Sequence, residues 1–167
     1  MRARPAPPAT EEGGGNSAVS LSRSKEKLIG RLRSRRMRPR EGLVLIEGLH
    51  TCVEAVDAGA RIRFAVASRS LPEAAEGRRL AEHLEATGVV VEWVGEEILA
   101  SVSDTESPQG LLLVCEAPAV DPAALLSAPD GRFLLLDGVQ DPGNLGTLVR
   151  AARAFALHGA IALDGTV

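Results

Sequence analysis

FLLLDGVQDPGNLGTLVRAARAFAL, residues 133–157, decides how this chain is read. Its first four residues form an unbroken apolar run of strand length, and a polar turn over 137–144 follows. From there Leu145, Leu148, Val149, Ala152 and Ala156 recur at helical spacing, which predicts a helix over 145–157 with those five as its buried stripe. Residues 160–163 are apolar again and predict a second strand. Strand, helix and strand in this order make a βαβ unit with parallel strands. The carboxyl end of a parallel strand facing a helix N-terminus is where α/β proteins bind ligands, because free N–H groups and the helix dipole favour anions there. Gly138, Gly143 and Gly146 let the backbone turn sharply and approach a partner closely. The segment is neither the GxGxxG fingerprint nor a P-loop, since it lacks the Lys-Ser/Thr pair.

Gly146 and Arg150 are four residues apart and share one helix face. A residue without a side chain beside a guanidinium makes a shallow socket for a phosphate or a ribose. Composition and spacing alone leave a second reading open, with a merely tolerated glycine and an arginine that is solvated or paired with Asp141. Asn144, where the helix opens, reads as an ordinary helix N-cap.

Upstream, short apolar runs alternate with amphipathic segments. Strands are predicted at 43–46, 62–67, 89–94 and 110–115, and helices at 49–57 and 74–86, with a helical turn at 96–101. This order argues for an α/β domain with a mainly parallel sheet. Before it, a helical pattern starts at Ser24, with Leu28, Ile29 and Leu32 on one face, and is expected to end at Pro39. Residues 117–130 carry three prolines and read as a linker, with Asp121-Pro122 suited to start one helical turn. The expected organisation is therefore a tail at 1–23, a first domain at 24–116, a linker at 117–130 and the start of a second domain at 131–167. The tail is rich in Pro, Gly, Ala and Ser and is expected to be disordered.

Composition narrows the function. Across 167 residues, 45% are hydrophobic and 25% charged, as in soluble globular proteins. Aromatic residues make up only 2%, which argues against a stacking platform for bases. The net charge of −3 hides an asymmetry. Residues 1–40 hold eleven Lys and Arg against three acids, and the rest hold eight against nineteen. The stretch RLRSRRMRPR at 31–40, with Arg31, Arg33, Arg35, Arg36 and Arg38, suits phosphate-backbone binding by counterion release, or is a solvated helix face. Arg61, Arg63 and Arg69 are candidates to extend that surface. Cys52 and Cys115 lack CxxC spacing and read as buried, reduced thiols. His50, His83 and His158 are isolated from acids at metal spacing, so no metal site is expected. No apolar run approaches a membrane span and the N-terminus lacks an apolar signal region, so a cytoplasmic location is expected.

The stretch DGVQDPGNLGTLVRAARAF closely resembles the first conserved motif of the SpoU/TrmH family of RNA ribose 2′-O-methyltransferases, whose Asn-x-Gly-x-x-x-Arg hallmark is met by Asn144, Gly146 and Arg150. Residues 41–59 and 104–115 resemble the small substrate-binding domain that precedes the catalytic domain in that family, a domain similar in fold to certain RNA-binding ribosomal proteins. The resemblance implies a small α/β RNA-binding domain followed by the first βαβ of an α/β-knot (SPOUT) methyltransferase domain. It also implies methyl transfer from S-adenosylmethionine to a ribose 2′-hydroxyl of rRNA or tRNA, with Arg150 and Asn144 as catalytic residues and Gly146 against the substrate. Homodimerisation is implied as well.

Arginine is effectively always protonated in proteins, so bidentate grip on the adjacent phosphate is as good a role for Arg150 as proton removal. Glu47 and Gly48 match a pair in the family's first domain and are read as a strand-to-helix turn. The family's two later motifs, a Glu-Gly segment and a Ser-Leu-Asn segment that hold the cofactor, have no counterpart in residues 1–167. The expectation is a chain inactive by itself. The rival readings are a non-enzymatic RNA-binding module and, from a third class, a nucleotide-binding protein sharing only the loop geometry.

Overall fold

The computed structural model describes residues 20–34, 38–105 and 108–167. The chain divides into two compact units, Met1–Ala117 and Pro118–Val167.

In the first unit the order is α1 (Arg23–Arg33), α2 (Arg38–Glu41), β1 (Leu43–Glu47), α3 (Leu49–Asp57), β2 (Ile62–Ser68), α4 (Ala75–Ala86), β3 (Val91–Val94), α5 (Glu96–Val102) and β4 (Leu111–Glu116). The strands lie in the order β1-β4-β2-β3. The alternation along β2 and β4 divides the core in two. Phe64, Val66, Leu112 and Val114 meet Ile29 and Leu32 of α1 and Leu99 and Val102 of α5. Ala65, Ala67, Leu111, Leu113 and Cys115 point the other way, onto Cys52 of α3 and Leu80, Ala81 and Leu84 of α4. Helices therefore cover both faces, and the central strand β4 is buried along nearly its whole length.

The sheet corrects the expectation of mainly parallel pairing. Only β2 and β3 pair in parallel, whereas β4 pairs antiparallel with both β1 and β2. β1, β2 and β3 all run the same way, as the βαβ alternation requires. The last strand inserts between the first two in the opposite sense. An apolar run such as LLLVC buries both of its faces equally well in either direction, so its pattern carries no information on polarity.

The N-terminal boundary also moves. Leu21, inside the expected tail, is buried in the core, and Ser22 caps α1 by accepting from the Lys25 N–H. Residues 1–19 of that tail lie outside the described residues. Helix α1 stops at Ser34 rather than Pro39, and Pro39 sits within the short α2, where a first-turn proline loses no helical hydrogen bond. Between β2 and α4 a 3-10 turn, Leu71–Glu73, comes so close to α4 that a β-carbon on Gly77 would stand 2.3 Å from the Leu71 carbonyl oxygen. Only glycine fits there.

The second unit contains α6 (Pro122–Leu126), β5 (Phe133–Leu136), α7 (Pro142–Ala154) and β6 (Gly159–Ala162), with β5 and β6 parallel. Residues 117–130, expected to be a linker, carry α6, which is N-capped by the Asp121 carboxylate. A β-carbon on Gly159 would lie 3.1 Å from Leu125, so α6 packs onto the second unit's own sheet. His158 is structural, with its Nδ1 accepting from the Arg132 N–H at 3.1 Å.

Candidate active site

Strand β5 ends in buried Leu136, and the chain turns through Gly138, whose φ of +65° suits glycine. Asp141 then caps α7, its Oδ1 accepting from the Asn144 N–H at 2.6 Å, with Pro142 at the first helical position. The loop after β6 closes against this turn. Leu163 N–H donates to the Leu136 carbonyl at 2.8 Å and Val167 N–H to the Val139 carbonyl at 2.9 Å. The Thr166 hydroxyl donates to the Leu136 carbonyl at 3.2 Å, and the Gln140 amide donates to the Gly165 carbonyl. The carboxyl ends of both strands are thereby tied together. Beside them opens a cleft of about 560 Å³ lined by Gly138, Val139, Gln140, Asp141, Asn144, Thr147 and Leu148.

Arg150 lies next to this cleft, one turn along α7, and its guanidinium covers Gly146. A β-carbon at Gly146 would stand 3.3 Å from Nη1 and 3.8 Å from Cζ. Nη2 donates to the Thr147 hydroxyl at 3.3 Å, and that hydroxyl in turn donates to the Gly143 carbonyl at 2.9 Å. Arg150 is exposed, and no ion pair among the described residues involves it. Its fork of N–H donors is thus available for a phosphate. Asn144 is exposed on the cleft wall, in the first turn of α7.

These contacts remove two of the open alternatives. Asn144 is not the N-cap, because Asp141 holds that position. Nor does Asp141 pair with Arg150, its carboxylate being committed to the helix end. The predicted buried stripe is narrower than expected. Ala152 is buried and Leu145 and Leu148 are half-buried, but Val149 is exposed and Ala156 lies beyond the helix at φ +51°. A sheet of two strands is too narrow to cover a five-residue stripe.

Along the cleft wall Asp141 Oδ1, the Gln140 amide and the Thr147 hydroxyl are engaged within the loop and helix. The second carboxylate oxygen of Asp141 and the Asn144 side chain are the polar groups there that could meet a nucleoside methyl donor.

In the first unit the basic stretch folds back onto carboxylates. Arg31 pairs with Glu41 at 2.6 Å, and Arg33 pairs with Asp104. Arg35 and Arg36 lie outside the described residues, and Arg38 belongs to α2. Arg61 and Arg63 share Glu116, at 3.0 and 3.2 Å. Glu47 and Gly48 form the strand-to-helix turn. Glu47 accepts from the Asp104 N–H at 3.0 Å and the Thr105 hydroxyl at 3.2 Å, while Gly48 takes φ +94° before α3. The side chain of Gln109 accepts from the Leu49 N–H at 3.0 Å, a helix cap with no signal in the local sequence. Both cysteines are free and buried, and burial pushes the Cys52 thiol up to about 12, with Cys115 and Glu47 adding to the effect. Among the described residues no group of three or more His, Cys, Asp or Glu side chains could hold a metal ion, and no helix is long and apolar enough to cross a membrane. Thr147 is the site residue that sequence reasoning missed. Its only signal was a position three residues before Arg150.

Known proteins similar to this chain are RNA methyltransferases. Residues 24–113 match the family model for the MRM3-like substrate binding domain. The chain is 31% identical over 147 residues to the 23S rRNA (guanosine(2553)-2′-O)-methyltransferase RlmP of Bacillus subtilis, covering 88% of this chain and 54% of that protein. An AdoMet-bound rRNA methyltransferase from Sinorhizobium meliloti superposes with a TM-score of 0.67 at 26% identity, over 89% of this chain and 54% of the other. A TrmH-family putative RNA methyltransferase from Porphyromonas gingivalis does so at 0.66 and 29%, over 88% and 54%. The chain thus spans about half the length of these relatives.

Proposed function

The chain belongs to the SpoU/TrmH family of RNA ribose 2′-O-methyltransferases, with an MRM3-like substrate-binding domain at residues 24–113, and on that premise we propose that it takes part in 2′-O-methylation of rRNA. S-adenosylmethionine is the methyl donor in this reading, supported by the AdoMet-bound relative. RNA is the partner of the first unit, supported by the substrate-binding description of the matching family. The second unit brings the reacting nucleotide against α7.

The observation that carries the reading is the Arg150 guanidinium laid over Gly146 beside the cleft, without a carboxylate partner. A ribose 2′-hydroxyl is a weak nucleophile that must lose its proton as the new bond forms. A guanidinium gripping the neighbouring phosphate with two N–H donors holds that hydroxyl in place and offsets charge developing on the attacking oxygen. Asn144, on the cleft wall, is placed to hold the nucleotide beside it.

Two copies are proposed to act together. The second unit leaves Leu135, Val149, Phe155 and Leu163 exposed, Phe155 by 76%, and a second copy covering them would remove this apolar surface from water.

The test is transfer of labelled methyl groups from S-adenosylmethionine to rRNA by a full-length version of the chain, with and without Arg150→Ala. A loss of about 100-fold or more in kcat/KM, the size seen when one charge-stabilising donor is removed, supports the reading. Transfer by the variant at close to the wild-type rate overturns it.

A further inference from the structure

We propose that Thr147 is a positioning residue, whose hydroxyl sets the orientation of the Arg150 guanidinium and through it the rate of the reaction proposed above. The inference rests on that functional reading for its kinetic consequence and on geometry alone for the link between the two side chains.

A threonine hydroxyl has one proton and two lone pairs. At Thr147 the proton is committed, since the hydroxyl donates to the Gly143 carbonyl one turn back at 2.9 Å. Such back-bonding selects one of the two rotamers open to a helical threonine. The remaining lone pairs accept, and Arg150 Nη2 donates to one of them at 3.3 Å. The backbone of the first turn of α7 is thereby linked through Thr147 to the guanidinium. Gly146 completes the seat from below, with no β-carbon to lift the guanidinium off the helix.

Thr147 also lines the cleft, so the contact lies where a substrate would meet the guanidinium. A long, exposed arginine otherwise samples many rotamers, and a phosphate that meets it must first order it. A hydroxyl that holds the fork in advance removes part of that ordering cost and gains most when the geometry must match a transition state.

Valine at 147 keeps the shape and removes the hydroxyl, while serine keeps the hydroxyl. Two measurements on the protein test the proposal. The first is the NMR order parameter of the Arg150 side-chain Nε–H, with Arg153 on the same helix as reference. Thr147→Val is expected to lower it towards the Arg153 value, and Thr147→Ser to hold it near wild type. The second is a double-mutant cycle on methyl transfer. Thr147→Val alone is expected to lower kcat about tenfold with KM changed less than twofold, and to cost nothing further in an Arg150→Ala background.

An unchanged Nε–H order parameter in Thr147→Val overturns the proposal. So does a full tenfold loss that persists when Arg150 is already alanine, since Thr147 would then act independently of it. If the full-length version with Thr147 and Arg150 intact transfers no methyl group at all, the functional reading fails. The order parameter still decides whether Thr147 orients Arg150.

Discussion

The guanidinium of Arg150 rests on Gly146, one helical turn earlier, closely enough that a β-carbon at Gly146 would stand 3.3 Å from Nη1. A side chain at that position would require the guanidinium to give by a few tenths of an ångström. A glycine inside a helix costs about 0.5–1 kcal/mol relative to alanine. Here that cost coincides with an arginine held flat against the helix beside an open cleft.

Gly146→Ala is accordingly expected to move stability and activity in opposite directions. Helix propensity favours the alanine, so the melting temperature holds or rises. The added methyl lifts the guanidinium by a few tenths of an ångström or tilts it out of its seat, and methyl transfer falls by about tenfold, as small misplacements in catalytic sites do. Thermal unfolding and methyl-transfer kinetics on the same preparation check both signs. A variant that is more stable and equally active would sink the idea that the seat matters.

Asp141→Ala is expected to loosen the start of α7. The Asn144 N–H loses its acceptor at 2.6 Å, and removal of such an N-cap costs about 1 kcal/mol. Hydrogen exchange at the Asn144 amide should quicken about fivefold, the factor matching that energy. Asp141→Ser, which can still accept, should restore most of the protection.

What the sequence made legible follows from periodicity. Every strand of the first unit lies close to its predicted position, because alternating or continuous apolar runs mark burial directly. The direction of β4 was not legible, because LLLVC packs equally well either way. Leu21 was hidden for the opposite reason. One apolar residue in a stretch of small and polar ones has no period, yet it is buried in the core.

At the candidate site, the neighbourhood of Gly146 and Arg150 follows from their spacing of four. The link through Thr147 depends on rotamers that spacing does not determine. The pairing of Arg33 with Asp104, far apart in sequence, depends on the fold that brings α1 beside the end of α5. That contact turns part of an apparently free basic arm into a folded surface.

Gly77→Ala opposes two effects within one helix. Propensity favours alanine by about 1 kcal/mol. The new β-carbon, however, would sit 2.3 Å from the Leu71 carbonyl oxygen and 2.8 Å from its Cδ1. A side chain can rotate away but a backbone carbonyl cannot, so the 3-10 turn must shift, at a cost of about 1–3 kcal/mol as in overpacked cores. The clash is expected to win. Urea unfolding followed by the fluorescence of Trp93, which lies in β3 of the same unit, should show a lower midpoint for the variant.

Cys52 provides a pH prediction with a definite sign. Burial raises its thiol from the ordinary 9.0 to about 12, so the folded protein keeps it protonated where the unfolded chain releases the proton. The unfolded state is then favoured progressively as pH rises above about 9, and this contribution to stability, complete below that pH, is lost by about 12. Cys52→Ala removes the titration but leaves a cavity in the core facing α4, which costs stability at every pH. Wild type should therefore lose stability faster than Cys52→Ala between pH 9 and pH 11, while starting from a higher value at neutral pH. Urea midpoints at four or five pH values measure the two slopes. Parallel slopes would mean that the thiol ionises as readily in the fold as outside it, and that its burial does not govern its chemistry.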